Sequence, residues 1–231
     1  MLFWGTSFIN TKIALNEIPP VTLAFIRFSL ASALLWLALR KTEPDSALGR
    51  EDGWKIALAG FTGIAIYFCL ENTGIYYTTA SNASLIASLA PILSIALNML
   101  FFRARLSALE GMGVVLGIGG AYLTVTANGN LDFSSDHFLG NLFMLGAMVA
   151  WSFYTILSKH LQGKRSGLFL VTYQTLFGTL LLAPLALLEY DRWQAFSFLA
   201  LAQILYLAVL CSGVGYFLYI YACLLYTSRC V

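Results

Sequence analysis

The sequence predicts an all-α protein, a polytopic bundle of transmembrane helices, on three observations. First, 59% of its 231 residues are hydrophobic and only 10% are charged, which is too little polar surface for a soluble domain of this length. Second, apolar segments of membrane-spanning length recur along the chain, separated by short polar turns. Third, one part of the sequence restates another at a constant offset, as in membrane proteins built from duplicated units.

Eight apolar segments are predicted to form helices in the membrane. The first, 2–15, is shorter than the roughly 20 residues of a spanning helix, so either its true start lies upstream or the helix is clipped. Pro19 and Pro20 begin the second, because proline fits the first turn of a helix. Pro91 lies in the middle of the fourth, where it frees a carbonyl and is predicted to act as a hinge. The other segments run over about 21–39, 56–76, 82–102, 108–126, 138–158, 167–188 and 199–221.

The repeat is clearest where Trp4–Lys12 is matched by Trp151–Lys159, 147 positions later. The same offset lays residues 23–35 over 170–182, both of which are apolar. If the first unit has five spans, the odd number of crossings turns the second unit upside down. The sequence therefore predicts inverted five-helix repeats.

Basic residues fall in alternate loops, and this asymmetry predicts the orientation of the bundle. Lysine and arginine are the residues that mark a cytoplasmic side, so the N-terminus is expected in the cytoplasm and the loop around Asp132 outside. The basic loops carry Arg40, Lys41, Arg50, Lys55, Arg103, Arg105, Lys159, Lys164 and Arg165, whereas the loops of the other side carry only Arg192.

Several local patterns resemble one known family. They are W-G-x-x-F at Trp4–Phe8, P-P-x-x-L-A-x-x-R at Pro19–Arg27, and Y-T-x-A-S-x-A-S-L-I at Tyr77–Ile86, followed by L-A-P at Leu89–Pro91. In order and spacing they resemble the drug/metabolite transporter superfamily, in particular its EamA-type transporters. The resemblance implies ten helices in two inverted repeats, a central cavity, and export of a small metabolite or drug by alternating access.

If the chain follows that family pattern, residues 1–127 are predicted to be the first EamA-type repeat and residues 138–222 an incomplete second repeat. About eight of the ten helices are then present. Residues 223–231 do not continue the second repeat and are interpreted as a non-native tail, so the chain is expected to be truncated. Arg103, Ala104 and Arg105 stand where the family often has glycine, glutamate and arginine, so no acidic partner is carried over from the family.

Polar residues inside the membrane are the first place to seek a binding site, because a charge in hydrocarbon costs at least a few kcal/mol. Glu71, next to Asn72, is the carboxylate of an otherwise apolar span. It is expected either to pair with Arg27 or Lys12, or to bind a substrate cation or carry a proton. Arg27 is expected either to pack and snorkel or to contact an anionic substrate, and Lys12 to lie at the interface.

Aromatic and amide side chains supply the other candidates. Trp4 and Trp151 occupy equivalent places in the two repeats, and with tyrosines they are expected either to line a cavity or to pack between helices. The asparagines are expected either to orient a substrate or to join helices. His137 and His160 lie in opposite loops, so no metal site is predicted. The remaining candidates are Tyr67, Tyr154, Tyr216, Asn10 and Asn82.

These features favour a secondary transporter, an exporter of small metabolites, amino acids or drugs in a bacterial inner membrane. A passive channel or a structural membrane subunit remains the alternative.

No paired acids, histidine cluster or serine–histidine spacing points to an enzyme. No phosphate-binding loop is present, so no nucleotide cofactor is predicted. A net charge of +2 gives no reason to expect a nucleic-acid partner. The expected partners are a small-molecule substrate, the lipid bilayer and, as an option, a second copy in a homodimer.

Overall fold

A computed structural model describes residues 2–102, 107–126, 136–161 and 165–228. Within these ranges the chain forms eleven α-helices and no strand. The predicted loop positions Arg103, Arg105, Asp132 and Lys164 lie outside the described residues. The helices are α1 Leu2–Ala14, α2 Pro20–Thr42, α3 Arg50–Gly60, α4 Tyr67–Tyr77, α5 Ala80–Ala87, α6 Ala90–Phe102, α7 Ala108–Thr126, α8 Asp136–Leu161, α9 Gly167–Leu187, α10 Phe198–Tyr206 and α11 Gly215–Ser228.

The predicted fold class, an all-α polytopic bundle, is confirmed. Among the described residues, six helical segments are long and apolar enough to cross a membrane, and they match six of the predicted spans. The first and fifth predicted spans correspond to α1, which has 13 residues, and α7, which has 19. The six segments are Pro20–Thr42, Asp52–Tyr77, Ala80–Leu97, His137–Lys159, Gly167–Leu187 and Phe198–Tyr219.

Two of these spans contain a π-helical stretch in equivalent places. Phe61–Ile66 joins α3 to α4, and Leu207–Val214 joins α10 to α11. The 147-residue offset carries residues 61–66 onto 208–213, which lie inside the second stretch. Because π-helical turns are rare and often mark functional sites, their recurrence at one offset supports the proposed duplication.

The fourth span is interrupted at Ser88 and Leu89, between α5 and α6. Pro91 is the second residue of α6, a position where its missing N–H would have had no helical partner. In an unbroken helix the N–H of residue 91 would donate to the Ala87 carbonyl, and proline cannot supply this donor. The helix is therefore interrupted close to the predicted hinge, and the hinge motion itself stays a prediction.

Glycines set the closest approach between helices. A Cβ on Gly178 of α9 would lie 2.3 Å from the Ile64 Cβ and 2.9 Å from the Gly60 carbonyl oxygen. A Cβ on Gly140 of α8 would lie 2.8 Å from the Gly74 carbonyl oxygen of α4. Both crossings are too tight for any side chain, so these glycines fix how the two halves of the chain pack together.

Charged side chains cap the helix ends at one end of the bundle, here called the α1–α2 end. Glu189 accepts hydrogen bonds from the Val21 and Thr22 backbone N–H groups, at 3.2 and 2.7 Å, and so caps α2. Glu17 accepts from the Ser197 N–H at 2.6 Å and from its hydroxyl at 2.8 Å. These two bonds lower the pKa of Glu17. Anionic groups at helix N-termini stabilise the positive end of the helix dipole. The two glutamates therefore join helices of the α1–α2 end to one another by specific hydrogen bonds.

The opposite end, here called the α2–α3 end, carries one described ion pair, between Arg165 Nε and Asp52 Oδ2 at 3.9 Å. Two basic side chains at this end lie over aromatic rings. Arg40 is 4.3 Å from the Trp36 ring centroid, and Arg165 is 5.1 Å from that of Phe169. Basic residues beside aromatic rings are typical of a membrane–water interface.

Candidate functional site

A cavity of about 700 Å³ lies in the middle of the bundle, between elements of the two proposed repeats. Helices α1, α2, α4, α5, α6, α8 and α11 all contribute to its wall. Five of the predicted site and hinge residues line it: Trp4, Glu71, Pro91, Trp151 and Tyr216. Tyr67 and Arg27, both considered from the sequence, also line it. Helices far apart in the chain thus bring these predicted residues to one place.

The two repeat-related tryptophans meet in this wall. The ring centroids of Trp4 and Trp151 are 5.6 Å apart, with the rings at 89° in an edge-to-face arrangement. The ring centroid of Tyr216 lies 5.9 Å from the ring centroid of each tryptophan. The Trp4 Nε1–H donates to the Cys211 carbonyl at 3.0 Å, which binds α1 to the second π-helical stretch. Such aromatic contacts each add on the order of 1 kcal/mol beyond area burial.

Glu71 is 5% exposed and faces the cavity. The Tyr67 hydroxyl, one helical turn earlier, donates to its Oε1 at 2.6 Å. In the part of the chain that the structure describes, Glu71 forms no ion pair with Arg27 or Lys12, although Arg27 interacts with it electrostatically. The carboxylate is therefore oriented by a hydroxyl and left open toward the cavity.

Arg27 is 3% exposed and is held on the cavity wall by other contacts. Its Nε donates to the Ser212 Oγ at 2.6 Å. The guanidinium carbon lies 4.6 Å from the Phe68 ring centroid and 5.4 Å from that of Phe28. A buried charge is costly unless such partners compensate it. The side chain therefore packs in the core, as the first expectation has it, and also lines the cavity, whereas its contact with an anionic substrate stays a prediction.

Lys12 lies away from Glu71 and binds the end of a helix. Its Nζ donates to the carbonyls of Ile75, Tyr76 and Thr78, at 2.7, 2.9 and 2.7 Å. These carbonyls lie at the C-terminal end of α4 and at the residue that follows it, where intrahelical donors are lacking. A cation at a helix C-terminus is stabilising, so Lys12 ties α1 to α4 at the α1–α2 end.

Four predicted site residues lie outside the cavity wall. The Tyr154 hydroxyl donates to Gln174 Oε1 at 3.1 Å, and Tyr154 is fully buried. Asn72 Nδ2 donates to the Pro20 carbonyl at 2.8 Å, which joins α4 to the start of α2. Asn10 donates to the Thr6 carbonyl of its own helix, and Asn82 donates to Thr78 Oγ1, just after α4. The bonds of Tyr154, Asn72 and Asn82 join neighbouring elements, as in the structural alternative.

Hydroxyl side chains of the wall were not among the predicted site residues. The structure places Ser7, Ser84, Ser88, Ser94 and Thr155 around the cavity. A signal for part of this set was present in the sequence: Ser84, Ser88 and Pro91 are four and three residues apart, the spacing of one helix face. Within the described part of the chain, no group of three histidine, cysteine or acidic side chains could hold a metal ion.

Comparison with known proteins places these features in a family. The model of the EamA-like transporter family matches residues 1–126 and 138–227. An uncharacterized transporter of Archaeoglobus fulgidus is 31% identical over 229 residues, which cover 96% of this chain and 76% of that protein. A probable terminal-alkyne amino-acid exporter of Streptantibioticus cattleyicolor is 27% identical, over 95% of this chain and 72% of that protein.

Two further likenesses extend this comparison. A probable amino-acid metabolite efflux pump of Escherichia coli K12 is 29% identical over 69% of this chain and 50% of that protein. A solved crystal structure superposes with a TM-score of 0.71 at 18% identity, over 96% of this chain and 75% of that one, and this likeness concerns the fold alone. The chain thus spans between half and about three quarters of the length of the proteins that it matches.

Proposed function

The chain belongs to the EamA-like transporter family, and we propose that it is a secondary transporter that exports small metabolites, amino acids or drugs by alternating access. The observation that carries the proposal is the central cavity, which is walled by both proposed repeats and contains the repeat-related tryptophans. Transporters with internal repeats place the substrate between the halves, near the midplane. Membership of a transporter family also accords with a role that involves no catalysis.

The chemistry of the cavity supports a small substrate with both polar and apolar parts. Glu71 and Arg27 give the wall one buried charge of each sign. Aromatic rings of Trp4, Trp151 and Tyr216 supply a broad apolar surface beside them. The relatives in S. cattleyicolor and E. coli are named as probable exporters of amino acids or their metabolites, and such molecules have this combination of groups.

The mechanism we propose is rocking of residues 1–127 against residues 138–222 about the cavity. At the α1–α2 end, bonds from Glu17 and Glu189 join the two units. At the α2–α3 end the Arg165–Asp52 pair joins them. The sequence has no phosphate-binding loop, so the driving force is an ion gradient, the membrane potential or the substrate gradient itself.

Flux through proteoliposomes tests this proposal. We expect purified protein to exchange radiolabelled amino acids, purines or cationic drugs, and to do so faster when unlabelled substrate is present on the opposite side. Such stimulation is the mark of a carrier with alternating access. Liposomes without protein are the control. Conductive flux that does not saturate would favour the channel, and correctly inserted protein with no flux would favour the structural subunit.

The proposed location is a bacterial inner membrane with the N-terminus in the cytoplasm, because Arg40, Lys41 and Arg165 lie at the α2–α3 end. Single cysteines at Asp45 and Asp191 test it, after serine has replaced the four native cysteines. Both positions are exposed, at opposite ends of the bundle. We expect an impermeant maleimide to label position 191 in intact cells and position 45 only after permeabilisation. Labelling of both positions in intact cells would contradict this orientation.

A homodimer stays a prediction, and it is tested by measuring the mass of the detergent-solubilised protein.

A further inference from the structure

Most of the N–H and O–H groups on the aromatic side chains around the cavity already donate hydrogen bonds to other groups of the protein. The Tyr67 hydroxyl donates to Glu71 at 2.6 Å, and the Tyr216 hydroxyl donates to the Gly63 carbonyl at 3.2 Å. The Tyr219 hydroxyl donates to Thr155 Oγ1 at 3.4 Å, and the Trp4 Nε1–H donates to the Cys211 carbonyl. These side chains therefore present their π faces, and not these N–H and O–H groups, to a ligand.

The serine and threonine hydroxyls of the wall behave in the same way. Ser7 donates to the Trp4 carbonyl at 2.7 Å, Ser84 to the Ser81 carbonyl at 2.8 Å, and Ser88 to the Leu85 carbonyl at 2.6 Å. Thr155 donates to the Trp151 carbonyl at 2.9 Å. A hydroxyl has one proton and two lone pairs. Once the proton is bound to the residue's own helix, the group offers lone pairs, so it acts toward a ligand as an acceptor.

The interruption between α5 and α6 leaves a backbone acceptor at a residue that lines the cavity. Ala87, Ser88 and Pro91 all line the cavity. Because residue 91 has no N–H, the Ala87 carbonyl lacks its usual donor, and it belongs to the C-terminal end of α5, which is the negative end of the helix dipole. A positively charged group is favoured beside such an end.

The carboxylate of Glu71 completes this set of acceptors. Its Oε1 accepts from Tyr67, whereas its Oε2 has no hydrogen-bond donor among the described residues. Among the described side chains that line the cavity, two kinds of donor have no hydrogen-bond acceptor. They are the two Nη groups of Arg27 and the indole Nε1–H of Trp151. Two aromatic rings lie against the Arg27 guanidinium. Acceptors and π faces thus outnumber donors around the cavity.

We propose that the cavity is a binding site for a protonated primary amine. This inference rests on the proposed function and names the substrate chemistry of that same site. The ammonium N–H groups would be shared between Glu71 Oε2, the Ser88 hydroxyl and the Ala87 carbonyl, with the rings of Trp4 and Trp151 facing the cation. The amine belongs either to an amino acid, whose carboxylate Arg27 would bind, or to a simple organic amine.

Two other classes of ligand fit the wall less well. A quaternary ammonium group satisfies the charge and the π faces but has no N–H to donate, so the lone pairs of the wall would be desolvated without a partner. A carboxylate without an amine can reach Arg27, but it supplies no N–H to the acceptors of the wall and lies beside the buried Glu71 carboxylate. Sites built to hydrogen-bond a substrate group discriminate strongly against analogues that lack the group.

Four ligands that share a phenyl ring and a short chain separate these classes. We would measure the binding of phenethylamine, phenylalanine, phenethyltrimethylammonium and 3-phenylpropionate to the purified protein in lipid nanodiscs by calorimetry. We expect phenethylamine or phenylalanine to bind at least about tenfold more tightly than the quaternary and carboxylate compounds, because a hydrogen bond to a charged group is lost with each. If phenylalanine binds more tightly than phenethylamine, the bound amine belongs to an amino acid. If phenethylamine binds more tightly, it belongs to a simple organic amine.

Ser88→Ala tests the wall itself, with Ser81→Ala as the matched control. Ser81 lies on α5 two helical turns earlier, is exposed and does not line the cavity. We expect Ser88→Ala to weaken binding of the preferred amine about threefold to tenfold and to leave the affinity for phenethyltrimethylammonium unchanged. Ser81→Ala should change neither. An equal loss for both ligands in Ser88→Ala would indicate altered packing and overturn the proposal.

The remaining outcomes also decide between the two proposals. Equal affinity for the amine and the quaternary compound, tighter binding of 3-phenylpropionate, or no binding of either amine would overturn the amine site. If flux of other compounds persisted in that case, the transporter proposal would stand. If amines bound with the expected selectivity and no flux were found, the amine site would stand and the transporter proposal would fail.

Discussion

Glu71→Gln is expected to abolish proton-coupled flux and to leave the protein folded. Glutamine keeps the shape of the side chain and an oxygen that accepts from the Tyr67 hydroxyl, which lies 2.6 Å from Oε1. It has neither the negative charge nor the titratable proton. An ionisable residue inside a membrane bundle marks an ion or substrate pathway, so we expect flux to fall on the order of tenfold or more.

The measurement is the rate of substrate exchange in proteoliposomes with and without a pH gradient, at equal protein content. Asp45→Asn is the matched control, because it makes the same chemical change at an exposed loop position. Its flux should equal that of the unmodified protein. Unchanged flux and unchanged pH dependence in Glu71→Gln would show that Glu71 carries neither proton nor substrate. A lost yield with normal residual flux would indicate a structural role.

Gly178→Ala is expected to lower the stability of the protein strongly, because the added methyl group has no room. The new Cβ would lie 2.3 Å from the Ile64 Cβ and 2.9 Å from the Gly60 carbonyl oxygen. Neither neighbour is a flexible side-chain end, so α9 would have to move away from α3 and the first π-helical stretch. Overpacking of this kind costs about 1–3 kcal/mol, and we expect a lower thermal unfolding midpoint or loss of the folded protein.

Gly113→Ala is the matched control for this experiment. A Cβ on Gly113 of α7 would meet nothing within 4 Å. Alanine is also favoured over glycine within a helix by about 1 kcal/mol, so this variant should unfold at the same temperature as the unmodified protein or higher. Fluorescence-detected size-exclusion chromatography after heating measures both variants. Equal midpoints for Gly178→Ala and Gly113→Ala would contradict the close crossing of α3 and α9.

Much of the architecture could be predicted from sequence because it depends on local properties. The spans follow from the length of apolar segments, since a helix must cross a hydrocarbon layer of about 30 Å. The family resemblance, carried by short patterns such as Trp4–Phe8, is confirmed by the match to residues 1–126 and 138–227. The offset that relates Trp4 to Trp151 also directed attention to two side chains that meet in the cavity wall.

The candidate site was harder to predict, because membrane helices are apolar on most faces. In a soluble helix the polar face shows which side faces outward, but a lipid-facing leucine and a buried leucine look alike in sequence. Tyr154 and Tyr216 were therefore equivalent candidates, whereas Tyr154 bonds Gln174 and Tyr216 lines the cavity. The serines of the wall gave only a weak spacing pattern for the same reason.

The class of protein, the approximate positions of the apolar spans and the family resemblance all follow from local sequence patterns. Which side chains meet is visible only in the folded bundle. Lys12 reaches carbonyls at the end of α4, and Arg27 reaches Ser212, 185 positions away. Such contacts depend on the rotation of each helix about its axis and on its neighbours. Both are set by close packing at positions such as Gly60 and Gly178, and local sequence patterns do not specify them.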